Sequence, residues 1–265
     1  MAKIQLNGVL VLGAGKIGST VADMLAQHYQ PLRITLADQQ APEAQQEHDD
    51  HQVRRIRLDA SDAESLFAAL SEHDAVINCL PYFMAQQVAA MAATCGTHYF
   101  DLTEDVAATD AIRRMAVDAS AVMMPQCGLA PGVIGMLGWA LAGRFDTLYD
   151  LRLRVGALTR HATNSLRYNF TWSIDGVINE YCNPAEAIVN GERVKVQPLE
   201  GHETFTLDAE AFEAFNTAGG LGTLCESLEG RVRNLDYKTI RYPGHRDAMN
   251  FLLHDLRLVE RRDLL

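Results

Sequence analysis

The chain has 265 residues, of which 48% are apolar and 22% charged, and its formal net charge is −11. This composition is typical of a soluble globular protein with one large domain or two small ones. The negative charge and the absence of a long basic cluster argue against a nucleic-acid partner. No run approaches the roughly 18 apolar residues of a membrane span. The five scattered cysteines lack Cys-x-x-Cys spacing, which indicates reduced thiols and neither a disulfide framework nor a zinc site.

Two further segments bear on location and metal binding. Residues 1–7 contain no apolar stretch of signal-peptide length, so we expect a cytoplasmic protein. His48-Asp49-Asp50-His51 combines two metal-ligating residue types, but it lies in a Gln-rich polar connection without matching ligands elsewhere. We therefore expect a solvated loop there, and no metal site.

A glycine-rich motif follows the first predicted strand, 8–12, and opens a helix. The motif and the acid that follows it twenty residues later consist of Gly13, Gly15, Gly18 and Asp38. This is the dinucleotide-binding fingerprint in its proper setting. Gly13 permits the tight turn, Gly15 lets the backbone approach a pyrophosphate, and Gly18 lets the helix pack closely. The helix N-terminus, at Lys16 and Ile17, would receive the phosphate charge.

The acid at the end of the second predicted strand indicates which dinucleotide binds. The Asp38 carboxylate can accept hydrogen bonds from both hydroxyls of the adenosine ribose, and it would repel a 2′-phosphate. Its neighbours Gln39 and Gln40 supply no compensating cation. The sequence therefore favours NAD over NADP, and a role in capping the following loop is the alternative for Asp38.

Short apolar runs alternate with helical patterns through the first half of the chain, as is typical of a parallel sheet with crossover helices. Six strands are predicted in this half, at 8–12, 32–37, 53–58, 75–78, 99–102 and 121–124. A capping box at 61–64 predicts that a helix begins there. We therefore predict an α/β Rossmann domain, with a doubly wound parallel sheet, over residues 1–127.

After residue 127 the pattern changes to the alternation of strands with one solvated face. Strands are predicted at 151–155, 166–172 and 235–241, and Asn190-Gly191 predicts a tight hairpin before Val194. Helices are predicted at 185–189, 209–216 and 246–256. Residues 128–265 are therefore predicted to form an α+β domain with a mostly antiparallel sheet.

Polar residues follow several strands of the predicted parallel sheet, at the edge where ligands bind open α/β sheets. Asp59 follows the third strand and lies near the adenine in one interpretation, or caps the next helix in the other. Asn78, Leu80 and Pro81 belong to the turn after the fourth strand, which we expect to border the nicotinamide. Asp101 ends the fifth strand, and we expect it to be functional.

Several segments, taken together with the fingerprint and residues 99–103, resemble one enzyme family. They are residues 128–132 (Gly-Leu-Ala-Pro-Gly), 168–173 (Tyr-Asn-Phe-Thr-Trp-Ser) and 237–245 (Tyr-Lys-Thr-Ile-Arg-Tyr-Pro-Gly-His). The chain resembles the saccharopine dehydrogenase/reductase-like family over nearly its whole length, with lysine 6-dehydrogenase-type enzymes as the nearest branch. Saccharopine reductases and carboxynorspermidine dehydrogenases usually have Asp in the first of these segments. Ala130 at that position favours the lysine-dehydrogenase branch.

The resemblance implies hydride transfer between the CH–NH carbon of a lysine-type amino acid and a nicotinamide cofactor. A lysine-type ammonium, with a pKa of about 10.4, must first lose its proton. A general base or desolvation is therefore needed, and the candidates for the catalytic base are Tyr82, Asp101 and His245. Saccharopine reductase or carboxynorspermidine dehydrogenase chemistry is the alternative.

A substrate carboxylate calls for a bidentate cation, which Arg241 or Arg160 could supply. Arg241 lies inside the recognised motif and is the better candidate, with a surface strand arginine as the alternative. The pattern makes Tyr168 and Trp172 core residues of an alternating strand, whereas the resemblance places that strand beside the substrate.

The resemblance also implies cofactor contacts from Leu129 and Pro131 and a homodimer or higher homo-oligomer, with the second sheet as the contact. Family members usually run well past Leu265, so we expect a chain shortened at its C-terminus. A second class of function is therefore an NAD-binding regulator or scaffold that keeps the cofactor site without turnover.

Overall fold

The computed structural model describes residues 6–29, 31–40 and 53–261. The chain divides into two compact units, Met1–Gly128 and Leu129–Leu265. No helix within the described ranges is both long enough and apolar enough to cross a bilayer. The segment His48-Asp49-Asp50-His51, predicted to be a solvated loop, lies outside these ranges.

A six-stranded parallel sheet organises the first unit. Its strands, in chain order, are β1 (Gly8–Leu12), β2 (Arg33–Asp38), β3 (Val53–Arg57), β4 (Ala75–Asn78), β5 (His98–Asp101) and β6 (Met123–Met124). They lie in the order β3-β2-β1-β4-β5-β6. The direction in which the chain adds strands thus reverses between β1 and β4, which is the doubly wound arrangement of the predicted Rossmann fold.

Helices cover both faces of this sheet. In chain order they are α1 (Lys16–His28), α2 (Ala63–Ser71), a short 3-10 helix (Tyr82–Met84), α3 (Ala85–Cys95) and α4 (Val106–Ala116). Leu10 and Leu12 point into a core with α2, α3 and α4, whereas Val9 and Val11 point into a core with α1. Since both faces of β1 are buried, its sequence is an unbroken apolar run.

The start of α2 differs by one residue from the predicted capping box. Asp62, rather than Ser61, is the N-cap, and its carboxylate accepts a hydrogen bond from the backbone N–H of Ser65 at 3.3 Å. Ser61 instead donates to Asp59 from both its backbone N–H and its hydroxyl. The N-cap therefore lies at Asp62 instead of Ser61. Ser61 is bound to Asp59, and Asp is as good an N-cap as Ser.

The second unit is built on a mostly antiparallel sheet, as predicted. Its strands are β7 (Leu148–Val155), β8 (Ala185–Val189), β9 (Glu192–Val196), β10 (Glu203–Leu207), β11 (Glu210–Asn216) and β12 (Val232–Arg241). The order is β10-β11-β12-β8-β9, and β7 pairs with β12 in parallel. The helices are α5 (Val133–Ala142), α6 (Ile174–Cys182), α7 (Leu224–Leu228) and α8 (His245–Asn250), and a π-helical turn (Phe251–Asp255) continues α8.

Two predicted helices of the second unit are strands, so those predictions were wrong. Residues 185–189 are β8, which pairs with β9 across the predicted Asn190-Gly191 hairpin. Residues 210–216 are β11, which pairs with β10 across a two-residue turn at Asp208 and Ala209, both with positive φ. Cross-strand pairing of the sheet outweighs the helix propensity of an Ala- and Glu-rich sequence.

The strand predicted at 166–172 is also wrong, because this segment is a loop without regular structure. The side chain of Asn164 accepts a hydrogen bond from the Tyr168 backbone N–H and donates one to the Tyr168 carbonyl oxygen. Arg167 has a φ of 52°, which a strand does not allow. The backbone groups that a neighbouring strand would satisfy are therefore satisfied locally.

Candidate functional site

The glycine-rich turn joins β1 to α1, and its shape depends on missing side chains. Gly13 has a φ of 95°, and its N–H donates to the carbonyl oxygen of Ala37 at 2.8 Å, which ties the turn to β2. A Cβ on Gly18 would lie 1.9 Å from the Gly13 carbonyl oxygen. A Cβ on Gly15 would meet no atom of the described chain within 4 Å. The turn is therefore tightly packed at Gly18 and open at Gly15, and the open side could accommodate a phosphate group.

The N-terminus of α1 supports the same fit. Within the part of the chain that the structure describes, no side chain caps this end, and the first turn holds no acid. In contrast, Asp62 caps α2 and Asp105 caps α4. Lys16 and Ile17, predicted cofactor contacts, are exposed in the first turn of α1. Uncapped N–H groups and the positive end of the helix dipole together favour an anion at this position.

Asp38 lies beside the glycine-rich turn and is half-buried. One carboxylate oxygen accepts from the N–H of Ala14 at 2.7 Å, and the other accepts from the N–H of Gln40 at 2.8 Å. The carboxylate thus fixes the turn and also caps the loop after β2, which is the alternative predicted for Asp38, and its contact with the ribose stays a prediction. Arg57 on β3 is its register partner in the sheet.

Asp59 follows β3 and makes a tight local turn. Hydrogen bonds from the side chains of Ser61 and Gln39 hold the pKa of the Asp59 carboxyl below its usual range. Asp59 does not cap α2, because Asp62 is the N-cap, so that interpretation of Asp59 is wrong, and its contacts with Ser61 form a turn before the helix. The contact with Gln39 brings it near the end of β2, so a role beside the adenine stays a prediction.

The ends of β4 and β5 are joined by buried polar side chains. Asn78, 2% exposed, donates to the hydroxyl of Tyr99 at 3.2 Å, and its side-chain oxygen accepts from the N–H of Leu80 at 3.1 Å. Tyr99 in turn donates to Asp101 at 2.7 Å. Leu80 is half-buried and Pro81 is exposed in the turn that follows. The structure therefore brings the predicted residues of this edge together.

Asp101 is 1% exposed and serves the fold at this edge. Burial raises the pKa of its carboxyl, although the Tyr99 hydroxyl and the backbone N–H groups of Thr103 and Gln126 all donate to it. A carboxylate whose donors all come from the protein holds strand ends together. This geometry gives Asp101 a structural role, and its predicted contact with the substrate stays untested, whereas Tyr82 is partly exposed at the start of the 3-10 helix.

In the second unit, four elements bring together a buried polar cluster. Its members come from the end of β12, from α6, from the start of α8 and from the loop before α6: they are Arg241, Tyr181, His245 and Tyr168. Their exposed fractions are 3%, 0%, 0% and 1%. The Arg241 guanidinium carbon lies 4.5 Å from the centre of the Tyr168 ring and 5.8 Å from that of Tyr181. The cluster thus surrounds one cation with aromatic faces.

Three of the five N–H donors of Arg241 are already bound. Nε donates to the Tyr181 hydroxyl at 2.9 Å, and Nη1 donates to Thr239 Oγ1 at 2.5 Å and to the Ile240 carbonyl oxygen at 2.8 Å. Nη2 makes no hydrogen bond to any residue in the described ranges, and no carboxylate there forms an ion pair with Arg241. The predicted bidentate contact with a carboxylate would have to displace one of these partners, because only the two N–H groups of Nη2 are left.

His245 is held as a neutral ring. Burial lowers the pKa of His245 to about 4. Nδ1 lies 2.7 Å from the Leu166 carbonyl oxygen, which can only accept, so Nδ1 carries the proton. Nε2 then accepts from the Tyr181 hydroxyl at 3.0 Å. A fully buried imidazole with both nitrogens engaged is a poor general base, and the catalytic role of His245 stays an untested prediction.

The remaining predicted residues of the second unit are dispersed. Trp172 donates from its indole N–H to the Tyr168 hydroxyl at 3.0 Å, so it supports the cluster from outside. Arg160 is exposed, and its carbonyl oxygen accepts from Tyr242 at 3.4 Å. Leu129 is 53% exposed, whereas Pro131 is buried.

Sequence reasoning missed two residues of this unit. Tyr181 follows Val177 at helical spacing, which predicts burial but not the bond to Arg241. Glu213 on β11 is 3% exposed and accepts from the backbone N–H groups of Gly244 and Arg246, at the start of α8. In the described ranges, no three His, Cys, Asp or Glu side chains are arranged to hold a metal ion.

Comparison with known proteins yields two matching family descriptions. "Saccharopine dehydrogenase NADP binding domain" matches residues 9–126, and "Saccharopine dehydrogenase C-terminal domain" matches residues 128–263. The mitochondrial alpha-aminoadipic semialdehyde synthase of Mus musculus is 26% identical over 91% of this chain and 27% of its own. The Saccharomyces cerevisiae saccharopine dehydrogenase [NADP(+), L-glutamate-forming] is 26% identical over 70% of this chain and 43% of its own.

A solved structure shares the fold. Apo saccharopine dehydrogenase (L-Glu forming) from Saccharomyces cerevisiae superimposes with a TM-score of 0.73 at 24% identity, over 93% of this chain and 57% of that one. This chain therefore spans little more than half the length of the solved relative, and less of the others. The two family matches together cover nearly the whole sequence, and the chain belongs to the saccharopine dehydrogenase family.

Proposed function

We propose that this chain is an NAD-linked oxidoreductase that acts on the CH–NH bond of a lysine-type amino acid. The observation that carries the proposal is Arg241, a buried cation that forms no ion pair within 4.0 Å in the described ranges, although the charge of the buried Glu180 acts on it. Isolated buried charge is costly, and buried arginines are normally paired with anions. A substrate carboxylate at Nη2 would complete the pairing, so the ligand class is an amino acid rather than a simple amine.

The first unit would bind the dinucleotide. Its open glycine-rich turn and the uncapped N-terminus of α1 would bind the pyrophosphate, and Asp38 would accept hydrogen bonds from the adenosine ribose. When bound, the nicotinamide ring supplies a hydride acceptor. Asp38, with only Gln39 and Gln40 beside it, supports NAD. NADP is the alternative. It appears in the names of the matching family and of the yeast relative, and Arg57, the register partner of Asp38, would be a cation near the ribose position.

The substrate nitrogen must be neutral before the carbon can lose hydride, so a group must accept its proton. Among the three predicted bases, Asp101 and His245 are buried and bonded to protein groups. Tyr82 is partly exposed, and its hydroxyl has no hydrogen bond to a residue that the structure describes. We therefore retain Tyr82, in its phenolate form, as the candidate base that accepts this proton.

The choice of amino acid is part of the proposal. Ala130, in place of the Asp usual in saccharopine and carboxynorspermidine enzymes, favours L-lysine as the substrate. The relatives named for saccharopine support saccharopine itself as the alternative. A panel of L-lysine, saccharopine and carboxynorspermidine, each with NAD and with NADP, separates these possibilities by the appearance of reduced cofactor.

The main test replaces Arg241 with Ala. We expect the KM for the amino acid to rise by about 10- to 100-fold, since a charge-assisted hydrogen bond contributes about 1.5–3 kcal/mol. Arg160→Ala is the matched control, because Arg160 is exposed, and its KM should match that of the wild type. An unchanged KM in Arg241→Ala contradicts the proposal, and NAD binding with no turnover of any amine favours a regulator.

The cofactor assignment has its own test. Asp38→Ala should weaken NAD binding and narrow the difference between the dissociation constants of NAD and NADP. An unchanged ratio would remove Asp38 from the ribose contact. Tighter binding of NADP than NAD by the wild type would overturn the preference itself.

A further inference from the structure

We propose that Tyr181 is a positioning residue that fixes which end of Arg241 meets the substrate. The proposal rests on the proposed function, because it takes Arg241 as the group that binds a substrate carboxylate. It adds a residue outside the family-like motifs, on α6, whose side chain is fully buried and reaches both Arg241 and His245.

The direction of each hydrogen bond in this group follows from its neighbours. His245 donates from Nδ1 to the Leu166 carbonyl oxygen, so Nε2 has no proton and must accept. The Tyr181 hydroxyl proton therefore points to His245 Nε2. The lone pairs of the Tyr181 oxygen are then free to accept from Arg241 Nε. A neutral histidine thus ensures that Tyr181 faces the guanidinium as an acceptor.

This orientation restricts the arginine. Tyr181 binds Nε, while Thr239 and the Ile240 carbonyl oxygen bind both protons of Nη1. A carboxylate could approach side-on only by displacing one of these partners. The Nη2 end, with two N–H groups, is left for a ligand. Tyr181 therefore blocks the side-on pair Nε and Nη2, while Thr239 and Ile240 block the end-on pair Nη1 and Nη2, so a carboxylate would meet Nη2 alone. The bond to Nε also holds the planar guanidinium in place.

Because Tyr181 is buried, a water molecule cannot take the place of its hydroxyl. Burial also raises the pKa of this phenol well above its usual range, so the hydroxyl keeps its proton. Tyr181 and His245 are each 0% exposed, and water is therefore excluded from their contact. Removing the oxygen would leave Nε–H and His245 Nε2 without their partners, and the guanidinium could turn away from the Nη2 presentation.

The test compares Tyr181→Phe with Tyr237→Phe in steady-state kinetics. Tyr237 is a second buried tyrosine, on β12, that packs in the core with α7 and does not hydrogen-bond Arg241. We expect Tyr181→Phe to raise the KM for the amino acid by about tenfold or more, as for a lost hydrogen bond to a charged group. The kcat should change less than threefold, and the NAD dissociation constant should not change. Tyr237→Phe should leave the KM at the wild-type value.

Two further measurements separate positioning from simple damage. The same amine without its carboxylate should be used equally well by wild type and by Tyr181→Phe, because it makes no contact with Arg241. The double variant Tyr181→Phe/Arg241→Ala should have the KM of Arg241→Ala alone, since the tyrosine acts only through the arginine. A thermal unfolding midpoint and the NAD dissociation constant report whether the variant is folded.

The outcomes are distinct. If Arg241→Ala raises the KM but Tyr181→Phe does not, Tyr181 has no positioning role and the proposed function stands. If the effects of the two substitutions on the KM multiply in the double variant, or if the carboxylate-free amine is equally impaired, Tyr181 acts independently of Arg241 and the proposal is wrong. If Arg241→Ala leaves the KM unchanged, the proposed function and this inference both fail.

Discussion

The two candidate binding regions of this protein are built in opposite ways. The glycine-rich turn of the first unit depends on residues without side chains. The missing Cβ of Gly18 makes room for the Gly13 carbonyl oxygen, and the missing Cβ of Gly15 leaves open space beside the turn. The cluster around Arg241 in the second unit works through large, buried side chains that hold the guanidinium in place. The first region offers a ligand backbone N–H groups, whereas the second offers one end of a single guanidinium. We therefore expect substitutions that add atoms to disrupt the first region, and substitutions that remove atoms to disrupt the second.

The largest effect is expected from adding one methyl group at the turn. Gly18→Ala would place a Cβ 1.9 Å from the Gly13 carbonyl oxygen, which is backbone and cannot move aside. We expect the free energy of unfolding of the first unit to fall by at least about 3 kcal/mol, at or above the usual cost of overpacking. NAD binding should be lost. Chemical denaturation and a cofactor titration measure both.

Gly15→Ala is the matched control for that substitution. Its Cβ meets no described atom within 4 Å, and the backbone φ of −67° suits alanine. We expect the free energy of unfolding to stay the same or to rise by up to about 1 kcal/mol. The NAD dissociation constant should still increase, because the methyl group lies where the phosphate approaches. If Gly15→Ala bound NAD like the wild type, the open space would not be the phosphate site.

The next effect concerns the neutral histidine of the second region. The folded pKa of His245 is about 4, whereas the unfolded chain binds the proton at the usual value of 6.5. The unfolded state therefore takes up a proton first as the pH falls. We expect His245 to contribute a loss of about 3 kcal/mol in the free energy of unfolding between pH 6.5 and about 4. His245→Gln should show a shallower decline over that window in pH-dependent denaturation, and an unaltered slope would contradict the assignment.

The smallest change in stability is expected at Asp62. This substitution distinguishes a helix N-terminus capped by a side chain from the N-terminus of α1, which is proposed to bind the cofactor. Asp62 caps α2, in the same unit as the uncapped α1. Asp62→Ala should lower the free energy of unfolding slightly, because the Ser65 N–H loses the side chain that caps it. It should leave the NAD dissociation constant unchanged, because the α2 cap is outside the glycine-rich turn. A weakened NAD affinity would mean that the first region extends further than the turn and Asp38.

The sequence predicts the first region better than the second. The roles of Gly13, Gly15 and Gly18 follow from a local motif of fixed spacing, and the strand order and Rossmann fold follow from the alternation of apolar runs. The helix assigned to residues 209–216 failed because its Ala-rich composition has no local sign of the strands that pair with it. Arg241 was identified through a resemblance, but its bond to Tyr181 joins residues 60 positions apart. Such partners depend on the tertiary fold, which periodicity does not report.

The tethered guanidinium of Arg241 also bears on the entropy of ligand binding. A free arginine side chain has about 2 kcal/mol of rotamer entropy that is lost when it is ordered. In this protein the bonds to Tyr181, Thr239 and Ile240 order the side chain when the unit folds. A carboxylate that arrives later meets a preorganised donor and need not offset that loss. If Arg241 binds the substrate carboxylate as proposed, the folding of the second unit supplies part of the entropy cost of that contact.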